Sequence, residues 1–176
     1  TSFYLTDSKK DRFTTVYIYT EDNGLKRAPD EGTYDSQGTH YIDGPKKSFS
    51  GGAGLLSTSS DYNKFLLMIL NEGKYKDLQI LSRKSIEIMT KDNLAEGMFP
   101  YPGIGHGLGF QVINNRAKLS VLGSNGELTG GGAYRTEYWV DPQEDLIGII
   151  LVQIREPEYL FRFHDTIKTL IYQALR

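Results

Sequence analysis

Three consecutive glycines, Gly130, Gly131 and Gly132, stand ahead of the strand-like run AYRTEYWV in the stretch LTGGGAYRTEYWVDPQEDLIGIILVQ. Glycine loses more backbone entropy on ordering than any other residue and gives a core no side chain. A run of three before a strand therefore points to a need for bare backbone. Two readings of that need are open. A strand edge stripped of side chains can bring its N–H groups against a substrate, where preorganised donors stabilise an oxyanion by a few kcal/mol. Equally, the glycines can make a bulge or a tight bend. The other chemistry-bearing residues are sparse. His40, His106 and His164 lie far apart with no carboxylate-bearing ligand motif among them, so no metal site is expected. His164 falls on or beside the apolar stripe of the last helix and is expected to pack there. His106, in GIGHGLGF, sits between glycines at the start of a strand, where a pocket-edge role and a plain surface role fit equally. There is no cysteine, which removes thiolate metal sites, disulfides and a cysteine nucleophile. GxGxxG does not occur, so no phosphate loop and no cofactor are expected.

The elements that must position these residues follow from periodicity. Thr58 with Asp61 three residues on resembles a capping box, and Tyr62, Phe65, Leu66 and Ile69 recur at helical spacing until Gly73 offers a stop. Ser82 caps a shorter helix carrying Ile86 and Met89. From Gly107 the period changes to two. Leu108, Phe110 and Val112 fall on one face, Asn114 and Asn115 suggest a turn, and Lys118 to Leu122 reads as a return strand. A second hairpin runs from Ala133 to Val140, turns at DPQED, which reads as a solvated turn, and returns along Leu146 to Ile154. The unbroken apolar run in that last strand predicts cover on both faces. Pro157 opens a final helix with an apolar stripe of Leu160, Phe163, Ile167, Leu170 and Ala174, expected to lie on the sheet. Only this helix, over 157–175, is an obvious cover, so one face of the sheet is expected to be short of it. Residues 1–52 show little periodicity: Val16 to Tyr19 fits a short strand, and Glu21 to Asp30 and Asp35 to Ser50 read as loops. The organisation is α+β: an irregular segment over 1–52, a helical part over 53–95, and an antiparallel sheet with a C-terminal helix over 104–176.

The totals limit function. The chain has 176 residues, 39% hydrophobic and 24% charged, a composition fit for one globular domain. Lys+Arg 20 against Asp+Glu 22 gives a net charge of -2, and no basic block suggests nucleic acid as partner. The longest apolar run, Leu146 to Val152, is far short of the roughly 20 residues a membrane helix needs. The N-terminal TSFYLTDSKKDRF lacks an initiator Met and a signal pattern, and reads as a cut chain.

The stretches FSGGAGLLSTSSDYNKFLLMILNEGKY, LSRKSIEIMT, GHGLGF and GSNGELTGGGAYRTEYWVDPQEDLIGIILVQ together resemble the C-terminal half of the serine β-lactamase and penicillin-binding-protein superfamily, in its class C-like esterase branch. The resemblance implies an acyl-enzyme mechanism on a small ester, amide or β-lactam substrate. It places the family's third motif, Lys-Thr-Gly or Trp-Gly-Gly, on Gly130, Gly131 and Gly132. The backbone N–H that completes the oxyanion hole then falls on Ala133, at the start of a strand, with Tyr134 and His106 on the substrate side. Gly130 departs from the family, which has Lys, His or Trp there. The family's nucleophile is a Ser with a Lys three residues on, and its second base lies in a Tyr-x-Asn motif. This chain contains neither pattern. The N-terminal strands and the nucleophile helix are therefore expected to lie outside it. By resemblance its partner is the N-terminal part of the same protein or a second copy, and its compartment periplasmic or extracellular. Two functions fit: the C-terminal portion of a serine hydrolase, inactive alone, or a non-catalytic binding or structural module on the same scaffold.

Overall fold

The computed structural model describes residues 1–20, 24–29, 47, 49, 51–95, 98–155 and 161–176. Loop expectations over 35–46, and those for Pro157, Leu160 and His40, lie outside them. In chain order the elements are β1 (Tyr17–Thr20), β2 (Gly24–Arg27), α1 (Ser59–Leu70), β3 (Lys74–Tyr75), β4 (Leu78–Gln79), α2 (Arg83–Thr90), β5 (Ile104–His106), β6 (Gln111–Ile113), β7 (Leu128–Gly131), β8 (Glu137–Asp141), β9 (Leu146–Ile150), β10 (Ile154–Arg155) and α3 (Phe161–Ala174). The architecture is α+β, built on a five-stranded antiparallel sheet in the order β5-β6-β7-β8-β9. A smaller sheet pairs β1 antiparallel with β2 and parallel with β10.

Both helix starts follow the sequence. Thr58 accepts from the Asp61 amide at 3.2 Å, and Ser82 from the Ser85 amide at 3.0 Å, each satisfying an otherwise orphaned donor. At the end of α1, Gly73 N–H reaches Met68 C=O and Glu72 N–H reaches Ile69 C=O. This is a Schellman closure with Glu72 in the left-handed position, φ 51. Gly73 follows in the same region, where a Cβ would lie 2.2 Å from the Leu81 carbonyl.

The register assigns the two faces of the sheet. Val112, Leu128, Val140 and Ile147 face α1 and α2, and form the core with Leu66, Met68, Ile69, Ile86 and Phe110. Trp139 and Asp141, on the opposite face, are wholly buried beneath α3. The expectation that one face lacks cover is thus corrected: α1 packs on β8 and β9 and supplies it.

Four further readings change. Gly24–Arg27, expected within a loop, is β2, paired along its whole length with β1. The first hairpin is β5–β6, joined through residues 107–110, and no strand runs over 118–122, where a 3-10 turn at Arg116–Lys118 intervenes. Leu108 consequently lies in the connection, 55% exposed, while Phe110 and Val112 are buried. The apolar strand stops at Ile150, and Ile154 belongs to β10 in the other sheet. Finally, the stripe on the last helix points largely outward. Phe163 and Leu170 are 47% and 60% exposed, and the side facing the sheet carries His164 and Lys168, both buried, with Tyr172 half-buried.

Candidate functional site

The glycines occupy the end of β7, not the approach to a strand. Gly130 pairs with Tyr138 and Gly131 with Glu137, so both belong to β7, and Ala133 lies in the β7–β8 connection instead of opening β8. That connection is closed by Arg135 N–H to Gly132 C=O at 3.0 Å and by Gly132 N–H to Thr136 C=O at 2.9 Å. Arg135 takes a left-handed φ of 64. This is the pattern of a three-residue hairpin loop, a tight turn followed by one αL residue. Ala133 occupies the position after the first turn residue, whose N–H such a turn leaves unused. Among the described residues no backbone acceptor meets it, and Gly131, Gly132 and Ala133 are all exposed.

The neighbouring strand leaves the same side open. β6 meets β7 only at Leu128 and Thr129, and the chain then turns away through 107–110. Along an antiparallel ladder, successive amides point to opposite edges. Because Gly132 N–H points to β8, the Gly131 N–H points to the opposite edge, beyond the first residue of β6, and the Ala133 N–H, trans to the Gly132 carbonyl that accepts from Arg135, also points away from the turn. Gly130 answers a packing demand as well: a Cβ there would lie 2.5 Å from the Tyr138 hydroxyl. Tyr138 in turn sits edge-on to Tyr62 and Phe110, and burial raises its phenol above the usual tyrosine range.

His106 ends β5 in the row Thr129–Gln111–His106, so one strand separates it from β7. Its Nδ1 lies 2.7 Å from the Gly107 carbonyl and must donate there, which leaves Nε2 as the unprotonated nitrogen of the neutral ring. The half-buried His106 ring also packs on Phe99. Asp92 fixes this strand end, accepting from the His106 and Leu94 amides at 3.0 and 3.1 Å and from the Asn114 side chain. These bonds, the His106 amide first, hold its carboxyl below the usual range.

Beneath α3 lies a cluster that no sequence motif announced. Glu127, wholly buried, pairs with Arg116 at 2.6 Å and with Lys168, and accepts from Tyr172 at 3.1 Å. Tyr172 also meets Asp141 at 2.7 Å, and Lys168 lies over the Trp139 ring. Burial pushes the Lys168 ammonium down, against the pull of Glu127. One turn earlier, His164 is buried as its place on the helix predicts, but both of its nitrogens have polar contacts. Nε2 is 2.9 Å from the Arg135 carbonyl and Nδ1 3.3 Å from the Glu137 carboxylate, which burial pushes up. Tyr134 is half-buried, its carbonyl accepting from Ile154 N–H and its ring lying against Arg155. The sequence-based candidates thus divide. Gly130, Gly131, Gly132, Ala133 and Tyr134 share one hairpin, while His106 stands a strand away. Asp92, Tyr138 and Glu127 have no signal in the periodicity. The spacing of four in His164, Lys168 and Tyr172 was a legible polar stripe masked by the apolar one.

This mixed sheet-and-helix fold is that of the β-lactamase-like serine hydrolase superfamily. The chain belongs to the Beta-lactamase family, which matches residues 1–171. It is 31% identical over 164 residues to the uncharacterised protein MT1414 and to Protein Rv1367c, both of Mycobacterium tuberculosis, covering 87% of this chain and 39% of each of those proteins. Among solved structures it is similar in fold to EstCE1, a hydrolase with promiscuous acyltransferase activity, with TM-score 0.81 and 22% identity over 97% of this chain and 45% of that one. The simvastatin synthase LovD of Aspergillus terreus gives TM-score 0.77 at 18% identity over 99% of this chain and 46% of that one. An octameric penicillin-binding protein homologue from Pyrococcus abyssi gives 0.57 at 18% identity over 85% of this chain and 29% of that one. The chain spans less than half the length of each of these proteins. Among the described residues, no helix is long and apolar enough to cross a membrane and no three carboxylates or histidines are grouped to hold a metal.

Proposed function

We propose that this chain supplies the oxyanion strand and one wall of the cleft in a serine hydrolase that acts through an acyl-enzyme on a small ester, amide or β-lactam. Its nucleophile and base come from another part of the same protein, and the chain alone is inactive. The observation that carries this reading is the edge of β7, where the Gly131 and Ala133 amides point away from β8 with no strand opposite them among the described residues. Preorganised donors of this kind contribute most where charge develops in the transition state. Gly130, Gly131 and Gly132 keep that edge clear for the acyl group, Tyr134 flanks it, and His106 stands at its far side. The absence of Ser-x-x-Lys and Tyr-x-Asn supports the placement of the nucleophile elsewhere. The N-terminal part of the protein is the partner this reading requires, and the outward apolar side of α3 and the outer edge of β9 are the surfaces it would meet.

The test is Ala133→Pro in the complete protein. Proline suits this turn position and removes only the N–H. Turnover of p-nitrophenyl butyrate is expected to fall about 100-fold or more, as when one oxyanion donor is removed, with the melting temperature nearly unchanged. Unchanged turnover would reject the reading. A second reading, a non-catalytic module, is favoured by one observation: Gly130 offers no side chain where the family has Lys, His or Trp. No turnover of esters or cephalosporins by the complete protein would support it.

A further inference from the structure

His164 on α3 grips the loop carrying the Ala133 amide. Its Nε2 faces the Arg135 carbonyl at 2.9 Å, and since a carbonyl only accepts, Nε2 carries a proton and donates. Its Nδ1 faces Glu137, the first residue of β8, at 3.3 Å. The two contacts span the loop exit, one on Arg135 within the loop and one just beyond it. Arg135 is also where the loop is least comfortable: a non-glycine residue at φ 64 holds an αL position that such loops usually give to glycine. The peptide that leaves this residue is the one His164 holds.

We infer that His164 is a positioning residue for the oxyanion loop: by clamping Arg135 and Glu137 it fixes the direction in which the Ala133 N–H points. This rests on the proposed reading of Ala133. Two of the loop's other bonds, Arg135 to Gly132 and Gly132 to Thr136, lie within the hairpin and are kept while it rocks, whereas Ile154 N–H to the Tyr134 carbonyl and Arg155 against the Tyr134 ring hold the loop to β10. The imidazole bonds the helix directly to the loop, and His164 is 4% exposed, so neighbouring atoms fix its orientation. Its polar contacts are the Arg135 carbonyl and the Glu137 carboxylate, and the charged groups that act on Glu137 besides His164 are Lys168 and Asp165 on α3 and Glu127 at the entry to β7.

A merely structural histidine and a positioning one differ in what their removal does. His164→Ala in the complete protein is expected to lower kcat for p-nitrophenyl butyrate at least about tenfold with KM within about twofold, because the interaction lost is one made in the transition state. Amide hydrogen exchange of the peptide spanning 132–136 is expected to speed up about tenfold, with α1 unaffected. His164→Gln, which keeps a donor able to reach Arg135, is expected to restore most of both. Ala133→Pro separates the two ideas. If it abolishes turnover while His164→Ala changes neither kcat nor loop exchange at a temperature where the variant is folded, the positioning role is wrong and the oxyanion reading stands. If Ala133→Pro leaves turnover intact, the oxyanion reading fails and takes the positioning role with it. A loss in His164→Ala confined to melting temperature, with kcat per folded molecule unchanged, also overturns the inference.

Discussion

At the scale of single residues, two contacts set sharp expectations. Gly148 on β9 lies directly opposite Trp139 on β8, and a Cβ there would come within 2.1–2.3 Å of three ring atoms. The ring is wholly buried and cannot swing away. Gly148→Ala should therefore cost about 1–3 kcal/mol, the usual range for overpacking a filled core, read as a lower urea midpoint with unchanged slope. A neutral result would mean that the indole has room to move. Asp92 gives a pH-dependent expectation. Its carboxyl is held below the usual range in the folded protein, so its contribution is complete above the unfolded value and is lost as pH falls through the folded one. Asp92→Asn should lower the melting temperature at neutral pH, and the gap to the parent should close in strong acid. A gap that stays constant with pH would show that Asp92 acts by shape alone.

At the scale of elements, α3 is held by charge where the sequence promised grease. Its sheet-facing side is His164, Lys168 and Tyr172, and their partners are Arg135 and Glu137, then Glu127, then Asp141 with Glu127. Removing one member of a buried pair leaves its partner desolvated and unmatched. Glu127→Ala strands Lys168 and Arg116 together, so a loss of about 3–5 kcal/mol is expected. A loss under about 1 kcal/mol, measured by urea unfolding, would mean that water reaches both cations. This helix also shows what a sequence reveals. Caps and helical periods were legible because they are local: Thr58, Ser82 and the spacing of Leu66 to Ile69 fix α1 and α2 without reference to the rest of the chain. The face a helix buries is not local. It depends on what the sheet presents, and here the sheet presents carboxylates that pair with the polar stripe. The hairpins failed for a related reason. Alternation over Leu108, Phe110 and Val112 looked like one strand, but Gly109, at φ 95, bends the chain between β5 and β6. The glycines, expected to lead into the hairpin of Ala133 to Ile154, instead end β7, which pairs with β8, since no pattern within GGGAYR says where pairing begins.

At the scale of the whole molecule, the question is what the chain leaves open. Both faces of the main sheet have cover, α1 and α2 on one side and α3 on the other, so an exposed sheet face no longer drives association. Two features remain. Among the described residues β9 ends the sheet with β8 its only neighbour, and an unpaired strand edge of five residues invites another strand. The outer side of α3 shows Phe163 and Leu170 to solvent, one helical face apart from the ionic latch. On the proposed reading, this side of α3 is the surface that the N-terminal part would cover. The chain studied alone is therefore expected to self-associate, its mass by light scattering rising with concentration. Serine at both Phe163 and Leu170 should shift it toward monomer without loss of helix content, because neither side chain belongs to the buried core. If the N-terminal part covers this side in the complete protein, as proposed, the same two substitutions should instead lower the melting temperature. A chain that is monomeric at all concentrations, and a complete protein indifferent to both serines, would show that α3 faces water by design and that the partner surface lies elsewhere.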